Sequence, residues 1–222
     1  MKKDRSDLYD YSNGEQFKGK STTEIFTTIA DQNYWVEEES VSGFGSSKAQ
    51  TAEIIRLLPE VFQQFSIHTL LDAPCGDFNW MKGVDLTGID YTGADIVAKI
   101  VNNNNLRYSK ENIKFTRLDL LKDDLGAYDL LFCRDCLVHL SFADIQTALN
   151  NIKESSITYL MTTTFPEQDK NKDIQTGGWR PLDLEKAPFN FPPPIYLLNE
   201  KCSEQNGIFQ DKSLGLWEVR NL

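Results

Sequence analysis

Short apolar runs alternate with longer amphipathic stretches from about residue 49 onward. The run at 67–71 is apolar without alternation, the pattern of a strand covered on both faces. Further strands are expected at 89–96, 113–118, 128–133 and 157–165, the run at 128–133 being strongly apolar. Between them, Ala52, Ile55, Leu58 and Phe62 fall at helical spacing within 49–65. The segments 97–108 and 142–153 are also helical, with Ile145, Ala148, Leu149 and Ile152 on one side of the second. Strands that alternate with helices predict a mainly parallel sheet with right-handed crossovers.

The ends of the chain depart from this rhythm. Residues 1–20 are polar and irregular, which predicts a flexible lead-in to a single domain over 21–222. Ser21-Thr22-Thr23-Glu24 has the capping-box spacing for a short helix that presents Ile25, Phe26 and Ile29. Ser42-Gly43-Phe44-Gly45 is a loop expected to close over the site. Residues 177–194 hold Gly-Gly-Trp-Arg-Pro, Phe189-Asn190-Phe191 and three consecutive prolines, so they are neither helix interior nor central strand. This loop and the N-terminal helix are expected to cap the crevice. Two late runs, 195–198 and 214–219, predict an antiparallel hairpin at the sheet edge.

Composition narrows the function classes. The net charge of -10 makes a broad nucleic-acid surface unlikely. No apolar run approaches the roughly 20 residues that span a bilayer, and the N-terminus has no apolar signal core. A cytoplasmic location without membrane association is expected. The four cysteines are too scattered for a disulfide framework. Cys133 and Cys136 have C-x-x-C spacing, but Cys133 ends an apolar strand and no regular zinc ligand set accompanies it; buried thiols and no metal are expected.

The candidate site starts at Thr69-Leu70-Leu71-Asp72-Ala73-Pro74-Cys75-Gly76-Asp77. A strand that ends in a carboxylate and a tight glycine turn is how open α/β sheets build a nucleoside crevice. Asp77 to Trp80 are expected to open a short helix. A dinucleotide site wants G-x-G-x-x-G; this turn has one glycine, a proline without an N–H and an acid that repels phosphate. A nicotinamide dehydrogenase is therefore disfavoured, and a cationic ligand without phosphate fits better.

These residues resemble those of class I S-adenosylmethionine-dependent methyltransferases. DAPCGDFNWM, YTGADIV, FCRDCLVHLSFADI and GGWRPLDLEKAPFNFPPP together are similar to a bacterial methyltransferase family without an assigned substrate. Pro74 and Phe78 stand where glycines are usual. The resemblance implies a Rossmann-like, seven-stranded, mostly parallel α/β sheet with an antiparallel C-terminal hairpin and helices on both faces. It implies S-adenosylmethionine as cofactor, held by Asp72, Ala73, Cys75 and Gly76, by Asp95 and Ile96 at the ribose, by Asp119 and Leu120 at the adenine, and by Cys133 and Arg134 beside the methyl group.

Arg134, Asp135 and His139 are the candidate catalytic residues. The i,i+4 spacing of Asp135 and His139 places them on one face of a helical turn, and a histidine accepts protons near neutral pH. Trp179 and Arg180, with Trp35, are the candidate substrate-binding residues: an indole to stack on and a guanidinium fork. The expected reaction is methyl transfer to an oxygen or nitrogen of a small polar acceptor such as a saccharide. A protein or peptide acceptor, or a non-catalytic cofactor-binding module, is the alternative. The oligomeric state is not legible.

Overall fold

The computed structural model describes residues 14–34, 39–40 and 42–222. Its strands are β1 (Thr69–Asp72), β2 (Asp90–Asp95), β3 (Ile113–Arg117), β4 (Leu130–Cys133), β5 (Tyr159–Thr164), β6 (Tyr196–Asn199) and β7 (Ser213–Glu218). They form one seven-stranded sheet in the order β3-β2-β1-β4-β5-β7-β6. Strand β1 pairs in parallel with both β2 and β4, so the order reverses beside it. Such a reversal opens a crevice at the carboxyl ends of the strands.

Side-chain alternation decides the layering. Leu70, Leu130 and Phe132 face a cluster with Ile54, Leu58 and Val61 of α2 (Lys48–Gln64) and Val101 of α3 (Ala98–Tyr108). Leu71, Leu131 and Cys133 face the other way, onto Ile145, Ala148, Leu149 and Ile152 of α4 (Phe142–Glu154). Both faces are covered, which is why these strands are apolar throughout. The mostly parallel Rossmann-like architecture is the one expected.

The hairpin of β6 and β7 forms at the sheet edge as expected; β7 lies just inside β6, antiparallel to both β5 and β6. Its Leu214, Leu216 and Trp217 are fully buried, whereas Leu197 on the edge strand β6 is 46% exposed. After β1, Asp77 to Trp80 form turns and a single 3-10 turn follows at Met81–Gly83, so no α-helix opens there. Phe78 adopts the left-handed φ of 59° that a glycine would favour. Its ring is held in an aromatic cluster with Tyr91, Tyr108 and Phe115, packing that offsets the backbone strain. Finally, the 177–194 segment does not line the crevice; only Trp179, near its start, reaches a neighbouring hollow. Leu182, Leu184 and Phe191 pack in the α4-side core, and Trp217 Nε1 donates to the Pro192 carbonyl at 2.7 Å.

The N-terminal helix α1 (Thr22–Asp31) begins with the predicted capping box: the Glu24 carboxylate accepts from the Ser21 N–H at 2.8 Å and the Glu24 N–H donates to Ser21 Oγ at 3.3 Å. It lies at the mouth of the crevice, where Thr22, Phe26, Ile29 and Ala30 line the wall.

Leu131 is fully buried at the centre of the sheet. Leu131→Ala is expected to lower unfolding stability by about 2–5 kcal/mol, read as a lower urea midpoint with an unchanged slope.

Candidate functional site

The crevice is a cleft of about 1150 Å³, counted out to its open mouth. Asp72, at the end of β1, is buried and accepts a hydrogen bond from the Tyr91 hydroxyl at 2.5 Å. Burial pushes its carboxyl up to about 7, against the pull of that hydrogen bond. Asp95, at the end of β2, is also buried, and loss of hydration raises it to about 6. Its two oxygens accept from the backbone N–H groups of Val97 at 2.9 Å and Gly76 at 3.2 Å. Asp95 thus fixes the turn that carries Gly76.

That turn needs a glycine. Gly76 has a φ of 54°, and an added Cβ would strike Ser42 Oγ. Asn104 of α3 donates to the Gly76 carbonyl at 2.7 Å and anchors the turn from below. Further along the wall, Asp119 accepts from the Leu121 N–H at 3.0 Å and pairs with Lys122 at 3.2 Å. Asp72, Asp77, Asp95, Asp119 and Asp135 all line the cleft, and Arg134 is the only lysine or arginine among its described lining residues.

Arg134 is committed elsewhere. Its guanidinium meets Glu200 at 2.7 Å and Asp135 at 3.3 Å, donates to the Gly45 carbonyl at 2.8 Å, and lies 5.6 Å from the centre of the Trp80 ring. Lys212 completes the cluster, 2.6 Å from Asp135 and 3.5 Å from Glu200. Burial opposes the charged form of Asp135, but Lys212 and Arg134 prevail and hold it well below the usual carboxylate range. Asp135 also has a left-handed φ of 49°, and its N–H donates to Thr163 Oγ1 at 2.8 Å. Backbone held in that region by its surroundings is typical of functional sites.

His139 ends a 3-10 turn, Leu137–His139, one step along the chain. Its Nδ1 lies 2.8 Å from the Gly178 carbonyl. A carbonyl only accepts, so Nδ1 carries the proton and Nε2 is the basic nitrogen. Burial lowers the imidazole to about 4, which keeps it neutral at pH 7. Asp135 and His139 line both the cleft and a second hollow of about 890 Å³ that adjoins it.

Most of the residues singled out in the sequence converge here. Asp72, Ala73, Cys75, Gly76, Asp95, Ile96, Asp119, Leu120, Arg134, Asp135 and His139 line the cleft, and Trp179 lines the second hollow. Cys133 does not: it is fully buried in the α4-side core, and Cys136 reaches the cleft instead. Successive strand residues point to opposite faces, and Cys133 points down. Arg180 does not face either space. Its guanidinium is buried and donates to the carbonyls of Leu137 at 2.8 Å, Leu140 at 2.6 Å and Lys172 at 3.1 Å, and burial pulls it down to about 9. It buttresses the turn that carries His139 and cannot reach an acceptor. Trp35 lies outside the described residues. Glu200 and Lys212 were not singled out; each sits beside an opposite charge, Lys201 and Asp211, in a segment that reads as a charged turn, and no motif marks them.

Among the described residues, no cluster of His, Cys, Asp and Glu suits a metal ion, and no helix is long and apolar enough to cross a membrane. The described cysteines are all free thiols.

No family model and no curated protein matches the chain in sequence. Solved structures do match its fold. PigF with SAH is 14% identical with a TM-score of 0.62, over 90% of this chain and 63% of that one. Human N-acetylserotonin methyltransferase in complex with SAM is also 14% identical, with a TM-score of 0.50, over 94% of this chain and 70% of that one. The methyltransferase domain of bacterial CtHen1 is 16% identical, but over 52% of this chain and 66% of its own and with a TM-score of 0.46. The chain thus spans under two thirds of PigF. At such identities the likeness shows the fold.

The raised carboxyl of Asp72 has a measurable sign. Between about pH 4 and pH 7 the folded state binds its proton more tightly than the unfolded chain, so this group favours folding more as pH falls through that window. Asp72→Asn is expected to melt higher than the wild type at pH 8, with the gap closing toward pH 5, when thermal unfolding is followed without ligand. For the ion cluster, Glu200→Gln leaves two buried cations facing one carboxylate. A loss of about 3–5 kcal/mol in urea unfolding is expected.

Proposed function

We propose that the chain is an S-adenosylmethionine-dependent methyltransferase acting on an oxygen or nitrogen of a small polar acceptor of the cytoplasm. The observation that carries this reading is the row of buried carboxylates at the crest. Asp72 and Asp95 are raised toward neutrality by burial, in a cleft where the one arginine among the described lining residues is already ion-paired. Such a wall repels a pyrophosphate and favours a cation that brings hydroxyl donors. An adenosyl sulfonium has both properties. The likeness in fold to PigF with SAH and to N-acetylserotonin methyltransferase with SAM supports the same reading.

In this reading Asp95, with Ile96 beside it, accepts the ribose hydroxyls, and Asp119 and Leu120 flank the adenine. Asp72, Ala73, Cys75 and Gly76 face the amino-acid end. When bound, S-adenosylmethionine supplies a methyl carbon on a sulfonium that departs as a neutral thioether. The rest belongs to the chain. Helix α1 covers the cleft and limits water. His139, neutral at pH 7, accepts the acceptor's proton at Nε2. Asp135, kept ionised by Lys212 and Arg134, is a poor base but favours the imidazolium that results. Arg134 acts as a positioning residue, since its donors hold Asp135, Glu200 and the Gly45 carbonyl. Most of the acceleration comes from orientation and fixed charge.

S-adenosylhomocysteine is expected to raise the melting temperature and NAD to leave it unchanged. Asp95→Asn should lose most of that shift; an undiminished shift would remove the ribose assignment. His139→Gln should keep the shift and lower label transfer from tritiated cofactor, in fractionated extract, by about 10²-fold or more. Label in protein rather than in small solutes would favour the peptide alternative. Cofactor binding with no label in either fraction would favour a binding module.

A further inference from the structure

The second hollow has two chemically distinct walls. One is aromatic: Trp179 packs edge-to-face with Phe209 at 5.2 Å and Phe165 at 6.2 Å, and Phe44 stands nearby on the 42–45 loop. The other is polar, with Glu204, Gln205 and Ser42. Asp135 and His139 sit at the end shared with the cleft. Trp179 and His139 are held in register. The Gly177 N–H donates to the His139 carbonyl at 2.8 Å, Nδ1 of His139 meets the Gly178 carbonyl, and the Arg180 N–H donates to the Val138 carbonyl at 3.1 Å. The stacking ring and the base are therefore parts of one rigid unit.

Resting on the methyltransferase reading, we infer that this hollow holds a neutral saccharide ring, with its apolar face on Trp179, its outer hydroxyls on Glu204 and Gln205, and one hydroxyl at the Ser42, Asp135 and His139 end. A sugar ring has one face of C–H groups and a rim of hydroxyl donors, which matches a lining that combines aromatic side chains with a carboxylate and an amide. An anionic sugar would meet Glu204 and Asp135, and the nearby Lys212 already sits between two carboxylates. The hollow is a concave space of about 890 Å³ counted out to open solvent. Only the His139 end opens on the cleft, so the hydroxyl placed there is the one exposed to methylation.

The test is saturation-transfer NMR with a panel of methyl glycosides (gluco-, galacto-, manno- and rhamnopyranosides), in the presence of S-adenosylhomocysteine. Ring-proton saturation of at least one glycoside is expected. Its Kd should rise about tenfold or more in Trp179→Ala, with a smaller rise in Trp179→Phe, which keeps the packing on Phe165 and Phe209. Both variants should keep the wild-type thermal shift with S-adenosylhomocysteine, which shows that they are folded and that the cleft is intact. If no glycoside is saturated while that shift persists, the saccharide inference is wrong and the methyltransferase reading stands. Glycoside binding unchanged in Trp179→Ala also overturns it. If the wild type shows no thermal shift, both fall together.

Discussion

Two buried cations, Arg134 and Lys212, share the crest of the sheet with the buried Glu200 and the half-buried Asp135. Charges removed from water must be matched, or the fold loses several kcal/mol. The four come from three places: the end of β4 for Arg134 and Asp135, the segment after β6 for Glu200 and the approach to β7 for Lys212, with the 42–46 loop tied in through the Gly45 carbonyl. The network can close only if β7 enters the sheet between β5 and β6. It thus links the sheet's topology to the geometry of the site. Replacing such a network with apolar residues is often neutral for stability, so its value here lies in fixing one arrangement. That arrangement holds Asp135 ionised and in a left-handed backbone conformation at the junction of the two spaces.

The second constraint is geometric. Arg180 spends its guanidinium on the carbonyls of the turn that ends in His139 and of Lys172. An exposed arginine after β5 would have been a natural anion fork; buried, it ties the Trp179 segment to the His139 segment. Asp72 and Asp95 work by a different principle. They are buried carboxylates raised by desolvation, and Arg134, beside them in the cleft lining, is already shared with Glu200 and Asp135. The described cleft wall is therefore acidic, and Lys212 at the second hollow is likewise shared between two acids.

The chain by itself determined the layers, the parallel pairing and the position of the cleft. Apolar runs such as Leu70-Leu71 and Leu130-Leu131 are long enough and continuous enough to require cover on both faces, and Asp72 and Asp95 fall at strand ends, where a doubly wound sheet opens. Such local periodicity is legible because each residue's environment repeats every two or every 3.6 positions. The tertiary structure alone decided the burial of Arg180, the downward direction of Cys133, the interior place of β7 and the recruitment of Glu200 and Lys212. These depend on partners dozens of residues away: Arg134 and Glu200 are 66 positions apart, Asp135 and Lys212 77. No local pattern encodes such pairings; long-range packing creates them, because a buried charge must find its counter-charge wherever the fold brings one.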